Sequence, residues 1–439
     1  MAATHPAMWA RWAALHGVPR AFLFMRAHRG EPLARLLLGR IDRSERLELF
    51  EQIRVAGPLA RTSSVWMTVD HTLCRNILRD SRFGAGGPAD TGLPEPLQAL
   101  ARRADPALPN PVEPPAMLMV DPPDHTRYRR LVARSFTPKS IGTLNTRIGD
   151  VTAELLDDLE TRRDVDLIDD YAAQLPAAII TEILGLPAQD RQRILGWGNT
   201  GATLLDIGIT WPTFRAAVHD LRSIDGYLTE HFARLHAEGG DGTPFSDLAL
   251  QGDLTDRELK ANATLLVGAG VETTVNLIGN GITALLHHRE QLALLRVDPT
   301  LWPSAIEEIL RFDSPVQITS RTALCDMEIA GKTLKQGDGV VLLLGGANRD
   351  PHVFDHPDRF DITRPNARDH LAFGTGIHSC VGAPLARIEG VTALRELFTR
   401  FPDLHFEAPP EPRGLVNLQG YRRLPVRLHN QTPATPTSR

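Results

Sequence analysis

Cysteine is scarce in this chain: Cys74, Cys325 and Cys380 are the only three, an odd number with no CxxC pair. That scarcity excludes a disulfide-stapled scaffold and a paired-cysteine zinc module, and it points to a reducing cytoplasm. A long apolar run is missing as well. The stretch AFLFM at 21–25 is crowded by Arg20, Arg26, His28, Arg29 and Glu31, far short of the roughly 20 apolar residues that a bilayer span needs. It reads as an amphipathic surface segment. Net charge is only −5, which gives no global pull toward nucleic acid or anionic lipid. No internal repeat is visible. What is present is a 42% hydrophobic share, ample for a large core and without compositional sign of disorder.

Residues 84–115 hold Pro88, Pro94, Pro96, Pro106, Pro109, Pro111, Pro114 and Pro115, so no long regular element is expected there. A long loop inside a compact chain is commonly functional. DPPDHTRYRRLVARSFTP (121–138) reads as a helix with prolines in its first turn, ended by Pro138. From about 145 to 236 the pattern is mostly helical, with breaks near Pro187 and Pro212. The run 255–288 opens on a capping box, Thr255 with Glu258, and predicts one helix roughly 50 Å long. Its middle is apolar on nearly every side, which places it in the core. PSAIEEILRF (303–312) predicts a second helix, and β character follows from Arg321 to Leu344 with turns at Gly331 and 336–339. Helix returns beyond Cys380. HNQTPATPTSR (429–439) reads as a disordered tail, leaving 1–428 as one domain.

FGTGIHSCVG (373–382) surrounds Cys380 with glycines and leads into a helix. Glycines let backbone approach a large flat ligand, and a cysteine opening a helix receives first-turn N–H groups at its sulfur, as an iron-bound thiolate requires. A buried free cysteine in a tight turn fits the same description. Competing motifs are weaker. GAGVET (268–273) and GTGIHS (374–379) lack the third glycine of a dinucleotide fingerprint, and GKT (331–333) lacks the upstream glycine of a P-loop. His370, His378 and Cys380 have no paired-ligand spacing for zinc.

The segment FGTGIHSCVGAPLARIE (373–389) resembles the haem-binding signature of the cytochrome P450 family. Phe373, Gly374, Gly376, His378, Cys380, Gly382, Leu385, Ala386 and Arg387 stand at its pattern positions. The resemblance implies haem b (iron protoporphyrin IX), with Cys380 as proximal iron ligand, His378 reaching a propionate and Phe373 covering the sulfur. AGVETT (269–274) resembles the family's oxygen-activation motif. It implies Ala269 and Gly270 against the macrocycle, Thr273 holding the proton-donating network and Glu272 linking that network to solvent. EILR resembles the ExxR element, and PDRF (357–360) supplies a third member, so Glu308, Arg311 and Arg359 are expected to form a buried network fixing the cysteine loop. His125 and Arg129, four apart on one helical face, and Arg321 are the implied propionate partners.

The implied fold is mainly α with a smaller β region, a single domain with haem between the long central helix and the cysteine-loop helix. The implied reaction is RH + O2 + 2 electrons + 2 protons giving ROH and water, a hydroxylation or epoxidation of a small or medium lipophilic substrate. Electrons are expected from ferredoxin and an NAD(P)H-fed ferredoxin reductase. Two other readings stand beside it. A peroxide-driven haem enzyme usually lacks the acid–alcohol pair, and a non-catalytic haem-binding or gas-sensing protein would need an output segment that is not visible. Substrate lining is expected from 84–115, the helices within 170–236, the face before Glu272, and VQITS (316–320). Arg127, Arg130, Arg134 and Arg387 are expected to form a basic patch that steers an acidic ferredoxin.

Overall fold

The computed structural model describes residues 5–39, 41–86 and 94–429; Pro88 and the expected tail beyond His429 lie outside the described residues. The predicted capping box forms. Thr255 Oγ accepts from the Glu258 N–H at 3.3 Å while the Glu258 carboxylate accepts from the Thr255 N–H at 2.9 Å. From that cap one helix of 32 residues, Asp256–His287, runs unbroken. Between 265 and 286 it is buried on every side except around Gly268, Ala269, Gly270 and Thr273, where Ala269 is exposed. A helix through the core that opens at one point on one face marks where a ligand can reach it.

On one side the central helix packs against Gln174–Ile183 and Arg191–Thr203, on the other against Trp302–Phe312 and Ala383–Arg400. Two glycines permit the second contact. A Cβ on Gly281 would come within 2.5 Å of Leu394 Cδ1, and one on Gly390 within 3.2 Å of Leu277 Cδ2. The helix that follows the cysteine loop is thereby held directly against the central helix.

The β region is a five-stranded sheet in the order Ala60–Arg61, Trp66–Thr68, Gly339–Leu343, Ile318–Ala323, Phe83–Ala85, parallel only between Trp66–Thr68 and Gly339–Leu343. The predicted turn at Gly331 joins Met327–Ile329 to Lys332–Leu334. The proline-rich stretch holds no long element but a short helix of nine residues, Glu95–Arg103, because Pro96 falls in its first turn, where the missing N–H is harmless. Two expectations need correction. Pro138 begins the helix Pro138–Glu160, capped by Thr137, instead of only ending the one before. Pro212 likewise lies in the first turn of Trp211–Glu238, and the break falls at 204–210. Among the described residues no helix is long and apolar enough to cross a membrane.

Candidate functional site

The cysteine loop is shaped by two left-handed glycines, Gly374 at φ 61° and Gly376 at φ 74°. A Cβ on Gly376 would stand 2.3 Å from the Leu78 carbonyl oxygen, so only glycine lets the loop pass the helix His71–Arg79. The Cys380 N–H donates to the Phe373 carbonyl at 2.9 Å, which closes the loop. The backbone N–H groups of Gly382 and Ala383 point at the sulfur. Cys380 is exposed on one side, yet protein packed around its sulfur raises the thiol pKa; those N–H groups, with Arg129 and Arg387, pull the other way. Sulfur is thus presented outward with donors behind it, as a metal-bound thiolate needs.

His125, on the helix Asp124–Val132, is 3% exposed, and its ring lies 4.2 Å from that of His378, centroid to centroid. The Nε2 atoms of both are buried without a hydrogen-bond partner. Arg321 is buried beside them on the strand Ile318–Ala323, with one bond to the Ser320 carbonyl at 2.7 Å. Asp121 is the nearest acid, 4.0 Å from His378 Nε2 and too far to bond. Burial first, then Arg321, His125 and Arg129, push His378 down to about 3, and burial pushes Arg321 down to about 10. Three buried basic groups that suppress one another's charge call for an anion. The two propionates of haem fit that demand, and the residues present fit the group.

Arg129 does something else. It donates to the carbonyl of Ser379 and so braces the residue before Cys380, because its long side chain reaches past the histidine pair.

On the central helix, Ala269 and Thr273 share the open face, and the Thr273 hydroxyl donates to the Ala269 carbonyl at 2.7 Å. Gly270 is half-buried at the edge of that face, and a Cβ there would come within 3.1 Å of Ile180 Cδ1, so glycine lets the helix pack closely on its neighbour. Glu272 is 2% exposed and accepts from Arg413, which also donates to exposed Asn199. Between Glu272 and the exposed Asn199 stands the Arg413 ion pair. Burial raises the Glu272 pKa while Arg413 opposes it. Arg413 lies 141 residues away, and no local pattern announces it.

The side chains of Glu308 and Arg311 are fully buried, joined by two bonds of 2.7 and 2.8 Å. The third member is Arg364, with Nε 3.2 and 3.3 Å from the two Glu308 oxygens. Arg359 is exposed and contributes only its carbonyl, which accepts from Arg311 and Arg364. The turn closed by Arg359 N–H on the His356 carbonyl points the side chain outward and the carbonyl inward. A neighbouring group also escaped sequence reading: Glu307 accepts from Arg387 at 2.6 Å and meets His370 at 3.1 Å, and the Arg387 guanidinium lies 4.6 Å over the Phe373 ring. Of the four arginines expected in a basic patch, Arg387 is thus paired and Arg127 is held by Glu258 at 2.6 Å, while Arg130 and Arg134 are exposed.

Residues 300–413 match the family model described as Cytochrome P450. The chain is 43% identical to cytochrome P450 140 of Mycobacterium tuberculosis, over 95% of this chain and 97% of that relative. It is 42% identical to vitamin D(3) 25-hydroxylase of Pseudonocardia autotrophica, over 74% of this chain and 80% of that one. The crystal structure of myxobacterial cytochrome P450 CYP267B1 in complex with myristic acid matches with a TM-score of 0.79 and 33% identity, over 88% of this chain and 97% of that one. An outward-facing thiol backed by N–H groups, a basic pocket short of an anion, and likeness over nearly the full length all agree: the chain belongs to the cytochrome P450 family.

Proposed function

We propose that this monooxygenase holds haem b through Cys380 and inserts one atom of dioxygen into a lipophilic substrate by hydroxylation or epoxidation, with residues 1–428 acting as one catalytic unit in the cytoplasm. The observation that carries the reading is the buried trio His125, His378 and Arg321, without a hydrogen-bonded acid among the described residues and with His378 two residues before Cys380. Haem, when bound, supplies the iron at which dioxygen is reduced. The N–H groups of Gly382 and Ala383 would keep the Cys380 sulfur negative, and Phe373 with Arg387 would back it. His125, His378 and Arg321 would hold the two carboxylates, and Ala269 with Gly374 would leave room for the flat ring.

Thr273 keeps its hydroxyl oxygen on the open face while its proton is held by the Ala269 carbonyl, so it can accept a hydrogen bond from water there. Glu272, with its pKa raised by burial, is the group suited to take and return a proton behind it. A substrate of the lipid or steroid class is supported by two similar proteins, one named as a vitamin D(3) hydroxylase and one solved with myristic acid. Ferredoxin and its reductase are the proposed electron donors.

Cys380→Ser is expected to lack the red-shifted ferrous-carbonyl Soret band of a thiolate-ligated haem, because a neutral hydroxyl supplies less charge to iron. Retention of that band removes Cys380 as ligand. Titration with lipids, steroids and polyketides, read as a type-I spectral shift, narrows the substrate class. Thr273→Ala is expected to consume reductant but to divert dioxygen toward hydrogen peroxide, read as product formed per reductant consumed.

A further inference from the structure

The central helix carries a polar line that the oxygen-activation motif does not explain. Glu272, Asn276, Asn280 and Thr283 follow one another at steps of four, four and three, hence on one face, and none is more than 4% exposed. Buried amides and hydroxyls are costly unless bonded. Yet, among the described residues, both amide atoms of Asn276 and Oδ1 of Asn280 have no hydrogen-bond partner. Only Asn280 Nδ2 is used, donating to the carbonyls of Asp313 and Gln419 at 2.9 and 3.2 Å.

The C-terminal hairpin, Glu411–Pro412 with Tyr421–Arg423, lies along this line. Arg413 bonds Glu272, and the Gln419 carbonyl accepts from Asn280. Tyr421 stands beside Thr283 in the field of Asp313 and Arg43. Gly420 passes so close that a Cβ there would come within 1.9 Å of Asn276 Oδ1. At the far end Asp313 pairs with Arg43 at 3.2 Å, and the Asp313 carboxylate is itself 11% exposed, so the line reaches the surface there and ends at Glu272.

We propose that Asn276 and Asn280 bind buried water, and that this file of water carries protons from the Asp313 end to Glu272. The inference rests on the reading of Glu272 as the proton-managing acid. Side chains four apart on a helix stand roughly 6 Å apart, which one water spans with two hydrogen bonds of about 2.9 Å. A shorter way out of Glu272 runs through Arg413 to Asn199, but a guanidinium has no acceptor and stays protonated, so it closes that side to a relay. Along the file each water gains one O–H bond and gives up another. The net change is one proton taken at the surface and one O–H bond formed on Glu272 Oε1, with Oε2 still bonded to Arg413, and no electron moves.

The haem-loaded full chain tests this in two ways. A high-resolution crystal structure is expected to show ordered water within hydrogen-bond distance of the Asn276 amide and Asn280 Oδ1; a dry line overturns the proposal. In parallel, substrate-free dioxygen consumption is driven by NADPH, reductase and a plant-type ferredoxin, in H2O and in D2O. Asn276→Leu should slow it by about tenfold or more and enlarge the solvent isotope effect. Its melting temperature is measured alongside, so that a folding defect is told apart from a lost relay. Asn276→Ser, which restores a hydroxyl and room for water, should recover the rate. Gly420→Ala, pressing on the Asn276 amide, gives the same readout if the leucine variant fails to fold. Glu272→Gln separates the two layers: if it changes the isotope effect and Asn276→Leu does not, the file is wrong and the acid stands; if neither changes it, the reading of Glu272 falls and the file with it.

Discussion

Around Cys380 the buried charges fall into two kinds, those neutralised within the protein and those held ready for something else. Glu308, Arg311 and Arg364 are of the first kind, and removal of one member leaves an unpaired buried charge. Arg364→Met is therefore expected to destabilise the fold by about 3–5 kcal/mol, while Arg359→Met stays within about 0.5 kcal/mol; denaturant unfolding of the two variants side by side checks this. Glu307 gives a pH signature. Burial pushes its carboxyl up, but the bonds from His370 and Arg387 prevail and hold it down to about 2 against an ordinary 4.5. A depressed acid contributes stability above 4.5 that is lost as pH falls toward 2, so unfolding free energy should decline over that window and decline less in Glu307→Gln. The residue types of this site were legible in the motifs. Which arginine completes the Glu308 network was not, because Arg359 and Arg364 lie five apart in an irregular segment whose turn decides which side chain faces inward.

The central helix shows how far local pattern reaches at the scale of an element. Its start was readable because a capping box satisfies its own N–H groups within four residues. Thr255→Ala should cost about 1 kcal/mol in unfolding measurements. Its neighbours were not readable, since they depend on contacts between glycines and side chains more than a hundred residues away. Gly281→Ala would drive a methyl into Leu394 and is expected to destabilise by about 1–3 kcal/mol and to loosen the cysteine helix, seen as faster hydrogen exchange over 383–400. Gly270 belongs to the same lesson: its close packing on Ile180 is set by a helix ninety residues away.

For the whole molecule the net charge is −5, yet Arg130 and Arg134 are exposed on the helical segments that touch the cysteine loop through Arg129 and Phe136. Charge reversal at Arg130 is expected to raise the apparent ferredoxin Michaelis constant, with electron transfer slowing as salt rises because the Debye length is only about 8 Å at 0.15 M. Peroxide-supported turnover should be unchanged; equal loss of both activities would point to a damaged haem site. The patch is narrower than four arginines because Glu258 and Glu307 claim Arg127 and Arg387. By itself, the sequence determined the helical class, the long capped helix, the cysteine loop and the identity of the histidines and arginines beside it, since capping, left-handed turns and metal-ligand chemistry act over a few residues. Only the tertiary structure decided that Glu272 pairs with Arg413, that Arg364 displaces Arg359, and that an unbonded line of amides leads away from the acid. Those outcomes depend on which distant side chains meet once buried, where an unpaired charge or amide is too costly to leave alone.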